Sequence, residues 1–261
     1  MFYVGRIGAS LMRGVRRQTK VRVSTDRYDT FWATYLGVTS AELSSPGTSI
    51  APHAGLKGYS GVWFFRRGGR TVVSAPAAWV PVLRARIQSV PDTSPTPALF
   101  EHLFGESAER VIGPAFQGYL TMPAARPEIA AQAHSMDAAD ADVDVFRREC
   151  GGDAWEYAGL DEATDYFCGV KEGRRIVSLA AYRAWTKEAG DLCVLTDVSS
   201  RGKGLGTVAA RAVVRRALEG DKLLLYQTLE SNLGALRIAE RLGFEAYATH
   251  VAVRLRSTKP N

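Results

Sequence analysis

The stretch RGKGLGTVAARAVVRRA, residues 201–217, decides the reading of this chain. Arg201-Gly-Lys-Gly-Leu-Gly206 sets glycine at alternate positions between an apolar, strand-like run (DLCVLTDV, 191–198) and a helix-like segment. Glycine in that density weakens regular structure, so it needs a reason in backbone geometry or in a ligand that approaches the main chain closely. A helix whose first turn is Gly-Leu-Gly presents unpaired N–H groups at its positive end, and Arg201 and Lys203 add cationic charge at the same mouth. A pyrophosphate suits such a place; a plain turn with glycines for tight packing is the alternative.

The neighbouring pattern is sharp. Residues 165–185 read as two strands around the turn Lys171-Glu-Gly-Arg174, and 191–198 as a third. A helix over about 204–219 places Leu205, Ala209, Ala212 and Val213 on one face and ends at Gly220-Asp221. LLLYQTL (223–229) is a nearly continuous apolar strand of the type covered on both faces. Ser231-Asn232 caps a helix that stops at Gly243, and 245–255 returns as a strand.

Three phosphate loops compete. A P-loop needs Gly-x-x-x-x-Gly-Lys-Ser/Thr, an order this sequence lacks, which excludes that class of nucleotide triphosphatase. Gly204-Leu-Gly206-Thr-Val-Ala209 fits a dinucleotide fingerprint, with Glu230 standing where a ribose-binding acid belongs. Against it, SSRGK separates the strand from Gly204, and only 31 residues follow Glu230, too few for the rest of a doubly wound sheet.

The third reading covers more residues. TDVSSRGKGLG resembles the acyl-CoA-binding motif of the GNAT superfamily of N-acetyltransferases, Arg/Gln-x-x-Gly-x-Gly/Ala after a strand, met by Arg201, Gly204 and Gly206. SNLGALRIAERLGF resembles that family's second signature, an asparagine opening a helix that closes on Leu-Gly-Phe, here Asn232 and Leu242-Gly243-Phe244. The resemblance extends over about 110–256. It implies an α/β (α+β) fold with a mixed, splayed sheet flanked by helices and a V-shaped opening between two central strands.

It also implies acetyl-CoA, or another acyl-CoA, as co-substrate and no metal. The pantetheine arm is expected along strand 192–198, on the backbone of Thr196 and Val198. The pyrophosphate is expected at Arg201 and Gly202 and on the amides of Lys203, Gly204, Leu205, Gly206 and Thr207, with Asn232 beside it. A primary amine of a small molecule or peptide enters from the opposite side and attacks the thioester directly, so the protein supplies placement, deprotonation and stabilisation of the carbonyl oxygen. A backbone amide near Leu195 to Thr196 is the expected donor to that oxygen. Asp191, Asp197 and Glu188 are candidate bases by position, and each could equally be turn charge. The tyrosine that protonates the departing thiolate in many relatives is Ala239 here, which leaves Asn232, Ser231 or water for that task. A non-catalytic acyl-CoA-binding or regulatory protein is therefore the second reading.

The rest of the chain is less specific. Composition is that of an ordinary globular protein, 46% hydrophobic and 23% charged. Cys150, Cys168 and Cys193 lack paired spacing and read as buried or idle thiols; the dispersed His53, His102, His134 and His250 suggest no metal site. The N-terminal twenty residues are interrupted by arginines and read as no signal peptide, and no long uncharged run follows; a soluble, cytoplasmic protein is expected. Residues 1–90 hold 13 Lys/Arg against 3 Asp/Glu, a balance of +10, while 91–261 hold 20 against 24. That asymmetry suits an anionic ligand or two oppositely charged regions holding each other, whereas nucleic acid is disfavoured because the aromatics cluster in apolar runs. A homodimer is left open.

Within 1–110 the sequence suggests a helix at 26–37 ending on Gly37, a hairpin at 61–76 around Arg67-Gly-Gly-Arg70, and a helix at 76–90. PDTSPTP (91–97) is a break; a helix around 97–109, a strand at 112–121 and an alanine-rich helical region over 126–149 follow. The acidic DAADADVD (137–144) reads as a solvated face or helix start. The expected organisation is an N-terminal α/β region at 1–110, a degenerate second GNAT half or a substrate-shaping lid, and an acyltransferase domain at 111–261.

Overall fold

A computed structural model describes residues 25–88, 96–120, 133–137, 139–160 and 164–260. The N-terminal twenty residues, most of PDTSPTP and residues 126–132 of the alanine-rich region lie outside the described residues. In chain order the described elements are α1 (Thr25–Leu36), α2 (Ser40–Ser44), β1 (Gly47–Pro52), β2 (Gly61–Arg67), β3 (Arg70–Ala75), α3 (Val80–Ile87), α4 (Pro97–Phe104), β4 (Ala108–Leu120) and β5 (His134–Met136). Then come α5 (Ala141–Cys150), α6 (Gly152–Tyr157), β6 (Thr164–Glu172), β7 (Arg175–Ala184), β8 (Ala189–Thr196), α7 (Leu205–Glu219), β9 (Leu223–Leu229), α8 (Leu233–Leu242) and β10 (Phe244–Leu255).

All ten described strands join one mixed sheet in the order β1-β3-β2-β10-β4-β9-β8-β7-β6-β5. Two neighbouring pairs, β1 with β3 and β8 with β9, are parallel. β4 is inserted between β9 and β10, and β2 pairs with β10, so the sheet runs without a break from the N-terminal strands to the C-terminal ones. Alternation of side chains along each strand gives the sheet two apolar faces. One face packs against α1, α5 and α6 through Trp32, Phe65, Leu225, Phe146 and Leu195. The other packs against α3, α4, α7 and α8 through Phe64, Leu103, Val213 and Leu224. Burying one such large apolar side chain contributes roughly 1.5–3 kcal/mol.

Local chemistry accounts for most element ends. α1 stops at Gly37, whose φ of +75° disfavours a side chain. The β2–β3 turn is Gly68-Gly69, as the hairpin reading expects, and Asp140 caps α5 by accepting from the amide of Asp142 at 2.9 Å. Two expectations are corrected. The helix expected to 109 ends at Phe104, because Gly105 adopts φ +50° and the chain turns into β4 at Ala108. Within the expected helical stretch 126–149, His134–Met136 is instead an edge strand, since its backbone pairs with Phe167–Gly169 of β6. Among the described residues no helix is long and apolar enough to cross a membrane.

Candidate functional site

β8 and β9 pair in parallel only at Ala189–Leu223, Gly190–Leu224 and Asp191–Leu225. Beyond Asp191 the strands separate, and a cleft of about 850 Å³ opens between Leu192–Thr196 on one side and Tyr226–Leu229 on the other. The head of α7 forms one lip and α8 the other.

The glycines divide their labour. Gly202 and Gly204 take φ of +79° and +83°, and a Cβ would meet nothing within 4 Å at Gly202 and only Arg241 Nη1, at 3.9 Å, at Gly204. Both are glycine for backbone geometry, and both leave the mouth open. At Gly206 a Cβ would lie 2.9 Å from Thr196 Oγ1 and 3.1 Å from Ile238 Cδ1, so this glycine lets α7 sit directly on β8. Gly204 is the N-cap and supplies no side-chain acceptor. Thr207 and Val208 donate their amides to Gly204 O at 3.0 and 3.2 Å, whereas the amides of Leu205 and Gly206 have no backbone acceptor among the described residues. Unpaired N–H groups at a helix head are an anion site in waiting.

Charge around the mouth agrees. Arg201, Arg237 and Arg241 line the cleft, and no Asp or Glu does among the described residues. Arg201 Nε donates to Thr196 O at 3.2 Å. Lys203 is exposed at the rim, with Nζ 3.4 Å from Glu172 Oε1. Arg237 and Arg241, on successive turns of α8, were not singled out from the sequence; their spacing ahead of Leu-Gly-Phe was the available signal.

β8 offers backbone groups to the opening. Asp197 donates its amide to Val177 O at 3.0 Å, so Leu195 and Cys193 also turn theirs toward β7. Alternation turns the amides of Val194 and Thr196 the other way, into the cleft. Thr196 also shares a 2.8 Å hydrogen bond between its hydroxyl and that of Ser178. Val198, 73% exposed, stands in a short turn outside the cleft lining.

The carboxylates expected as bases have other partners. Asp191 is buried beneath the point where the strands part; its Oδ2 receives Arg183 Nη2 at 2.5 Å and Gln227 Nε2 at 2.9 Å. Burial raises its pKa and Arg183 opposes the rise. Asp197 caps the turn Val198–Ser200, accepting from the amide and hydroxyl of Ser199 and from Arg175 Nη2 at 3.0 Å. These bonds, the Ser199 hydroxyl foremost, hold its carboxyl below the usual range. Glu188 is exposed in the β7–β8 turn.

At the other lip Asn232 is the N-cap of α8, accepting from the Ala235 amide at 3.1 Å, and it lines the cleft. Ser231 is exposed beside it. Ala239 is buried in the core under α8. Tyr226 lines the cleft, but its hydroxyl donates to Ala235 O at 3.2 Å, and burial pushes its pKa up. Tyr247 is engaged elsewhere, donating to Asp29 Oδ1 at 2.7 Å. His250, also unmarked in the sequence reading, lines the cleft from β10.

Residues 132–244 match the acetyltransferase (GNAT) family. Among solved structures the chain is similar to an acetyltransferase from the GNAT family of Colwellia psychrerythraea, at 15% identity over 60% of this chain and 61% of that one, TM-score 0.45. It is also similar to a tandem GNAT protein from the clavulanic acid biosynthesis pathway, at 15% identity over 91% of this chain and 98% of that one, TM-score 0.44. The chain thus spans less than two thirds of the first of these and nearly all of the second. No curated protein matches. Residues 132–244, with the glycine mouth and both strands of the opening inside them, are a domain of the acetyltransferase (GNAT) family.

Proposed function

We propose that this protein transfers an acetyl or other acyl group from acyl-CoA to a primary amine of a small molecule or peptide, in one ternary complex. The observation that carries this reading is the cleft itself. It combines a parallel strand pair parted after Asp191, free amides at Leu205 and Gly206, and three arginines with no opposing carboxylate among the described residues.

In this reading the amides of Lys203 to Gly206, with Arg201, Gly202 and Arg241, hold the coenzyme's pyrophosphate, while the Thr207 amide closes the first turn of α7 on Gly204 O. The β8 edge, Val194 and Thr196 above all, faces its pantetheine arm. The coenzyme supplies the activated thioester; the chain supplies placement. An amide of β8 that points into the opening polarises the carbonyl oxygen without reorganising. The amine must arrive neutral, and with no carboxylate lining the cleft among the described residues its proton leaves through water or a group outside that lining. Residues 1–110 act as a degenerate second half that completes the acceptor side, and the protein works in the cytoplasm.

A second reading, an acyl-CoA binder without turnover, is favoured by the same missing carboxylate and by the buried alanine at position 239. Incubation with acetyl-CoA and a panel of primary amines, followed by free thiol, separates the two. Amine-dependent thiol release supports transfer. Binding of CoA by calorimetry without release supports the second, and no binding contradicts both.

A further inference from the structure

On the sheet face opposite α7 a chain of side chains crosses five strands, β7, β8, β9, β4 and β10. Arg183 and Gln227 both donate to Asp191 Oδ2, at 2.5 and 2.9 Å; Gln117 Nε2 donates to Gln227 Oε1 at 2.7 Å and to His250 Nδ1 at 2.6 Å. The register makes this continuous, since β9, β4 and β10 bring Gln227 beside Gln117 and Leu229, Ala115 and His250 into one row.

The direction of every bond in the chain follows from its first member. Guanidinium has donors only, so the oxygen of Asp191 that faces Arg183 carries no proton and must also accept from Gln227. That orients the Gln227 amide with its oxygen toward Gln117, which must therefore turn its NH₂ group to Gln227. The second hydrogen of the same NH₂ points at His250 Nδ1. The reversed Gln117 would set oxygen against oxygen. Among the described residues its own Oε1 is buried without a partner, the cost of holding this orientation. Nδ1 thus accepts, the ring proton sits on Nε2, and the edge that His250 offers the cleft is an N–H donor.

We propose that His250 is a specificity-determining hydrogen-bond donor in the acceptor half of the cleft, selecting amines that carry a carbonyl or carboxylate oxygen on an otherwise apolar body. This rests on the acyl-transfer reading of the cleft. Its surroundings fit that class: Ile112, Ala115, Leu229 and Cys193 line the same half, and no acidic side chain among the described residues greets a polycation. The ring is stacked on Trp63 at 4.6 Å, which fixes its plane. Burial holds its pKa down to about 4, so the donor is neutral and keeps its tautomer at physiological pH.

The test uses the full chain with ¹⁵N-labelled histidine and saturating CoA, with His250→Gln identifying the resonances. Four probes are added in turn: 6-aminohexanoate, 6-aminohexanamide, hexylamine and spermidine. The expected result is a proton on Nε2 with Nδ1 an acceptor, and an Nε2 resonance that moves with the amide, the acid or both but not with hexylamine or spermidine. A response to the acid alone assigns an anionic acceptor; a response to both assigns a carbonyl oxygen. Gln117→Glu, which has no NH₂ to give, should move the proton to Nδ1 or charge the ring, weaken the favoured probe about tenfold and leave CoA affinity within about twofold. This variant also serves as the comparison should His250→Gln not fold. A wild-type proton on Nδ1, an unresponsive Nε2, or an equal response to hexylamine overturns the proposal. Calorimetry without CoA uptake, together with an Nε2–H that still answers the oxygen-bearing probes, would remove acyl transfer while leaving this donor in place.

Discussion

Among the described strands two neighbouring pairs are parallel, each with a strand that leads into a helix, and the cleft lies at one of them, β8 and β9. β1 and β3 are zipped over six consecutive pairs, Gly47–Arg70 to Pro52–Ala75. β8 and β9 hold three pairs and then part. After β3 the chain passes Pro76 and a tight turn ending in the buried Trp79; α3 begins at Val80, whose amide is taken by Ala77 O, and its second residue is Pro81, which has no amide to offer. After β8 it passes two positive-φ glycines and enters α7 with free amides. The same strand-to-helix layout is thus a sealed structural joint in one place and an anion mouth in the other. Early loss of pairing and the choice of glycine over proline make the difference.

The largest expected effect is at the root of the opening. Asp191→Asn removes the buried charge that Arg183 and Gln227 both donate to and should cost about 3–5 kcal/mol of unfolding free energy by urea titration. A loss below about 1 kcal/mol would mean that the pair does not hold the point where β8 and β9 part.

Next in size is a pH effect in the same network. His250 is held at about 4 against an ordinary 6.5 by burial, so the unfolded chain binds the extra proton in that interval. Its contribution is complete above about pH 6.5 and is lost as pH falls toward 4, up to about 3 kcal/mol. The raised Asp191 acts in the opposite sense, its contribution fading as pH rises. Comparison of urea midpoints from pH 7 to 4 for wild type and His250→Gln isolates the histidine; the variant should show the flatter profile.

Gly204→Asp attacks the mouth directly. Asp tolerates a left-handed backbone and suits a helix head, so stability should change by less than about 1 kcal/mol. The carboxylate opposes an incoming pyrophosphate, and CoA affinity should fall about 100-fold. Ala77→Asp, at the corresponding joint after β3, should leave CoA affinity unchanged. A smaller loss, about tenfold and fading as salt is raised, is expected for Arg241→Glu. Val198→Ser, outside the cleft lining, should change CoA affinity by less than about 0.5 kcal/mol.

The contrast between the two joints also marks how far sequence reading reached. From Asp165 to Leu255 strands and helices were legible because their boundaries are set locally, by Gly173, Gly204, Asn232 and Gly243 and by alternation between them. α2, α6 and the edge strands β1 and β5 were not anticipated. The two edge strands are short, and their backbones gain order only by pairing with β3 and β6. Roles of the mouth glycines could be anticipated, but the contact that makes Gly206 a glycine, with Thr196 on the neighbouring strand, is set by the packing of α7 on β8 and leaves no local trace. Gln117, Gln227 and His250 carry no local signal at all. They meet only because β4 is inserted between β9 and β10, a pairing between positions more than a hundred residues apart. Arg27 to Asp221, at 2.7 Å, likewise joins the two charge-asymmetric regions, although so exposed a pair adds little stability.

One titration tests the central comparison most directly: backbone amide resonances of the full chain followed while CoA is added. Those of residues 203–207 should shift in saturable fashion, with Val194 and Thr196 following and residues 76–82 staying still. No movement at 203–207, or equal movement at the proline-capped joint after β3, would contradict the assignment of the β8–α7 mouth as the coenzyme's grip.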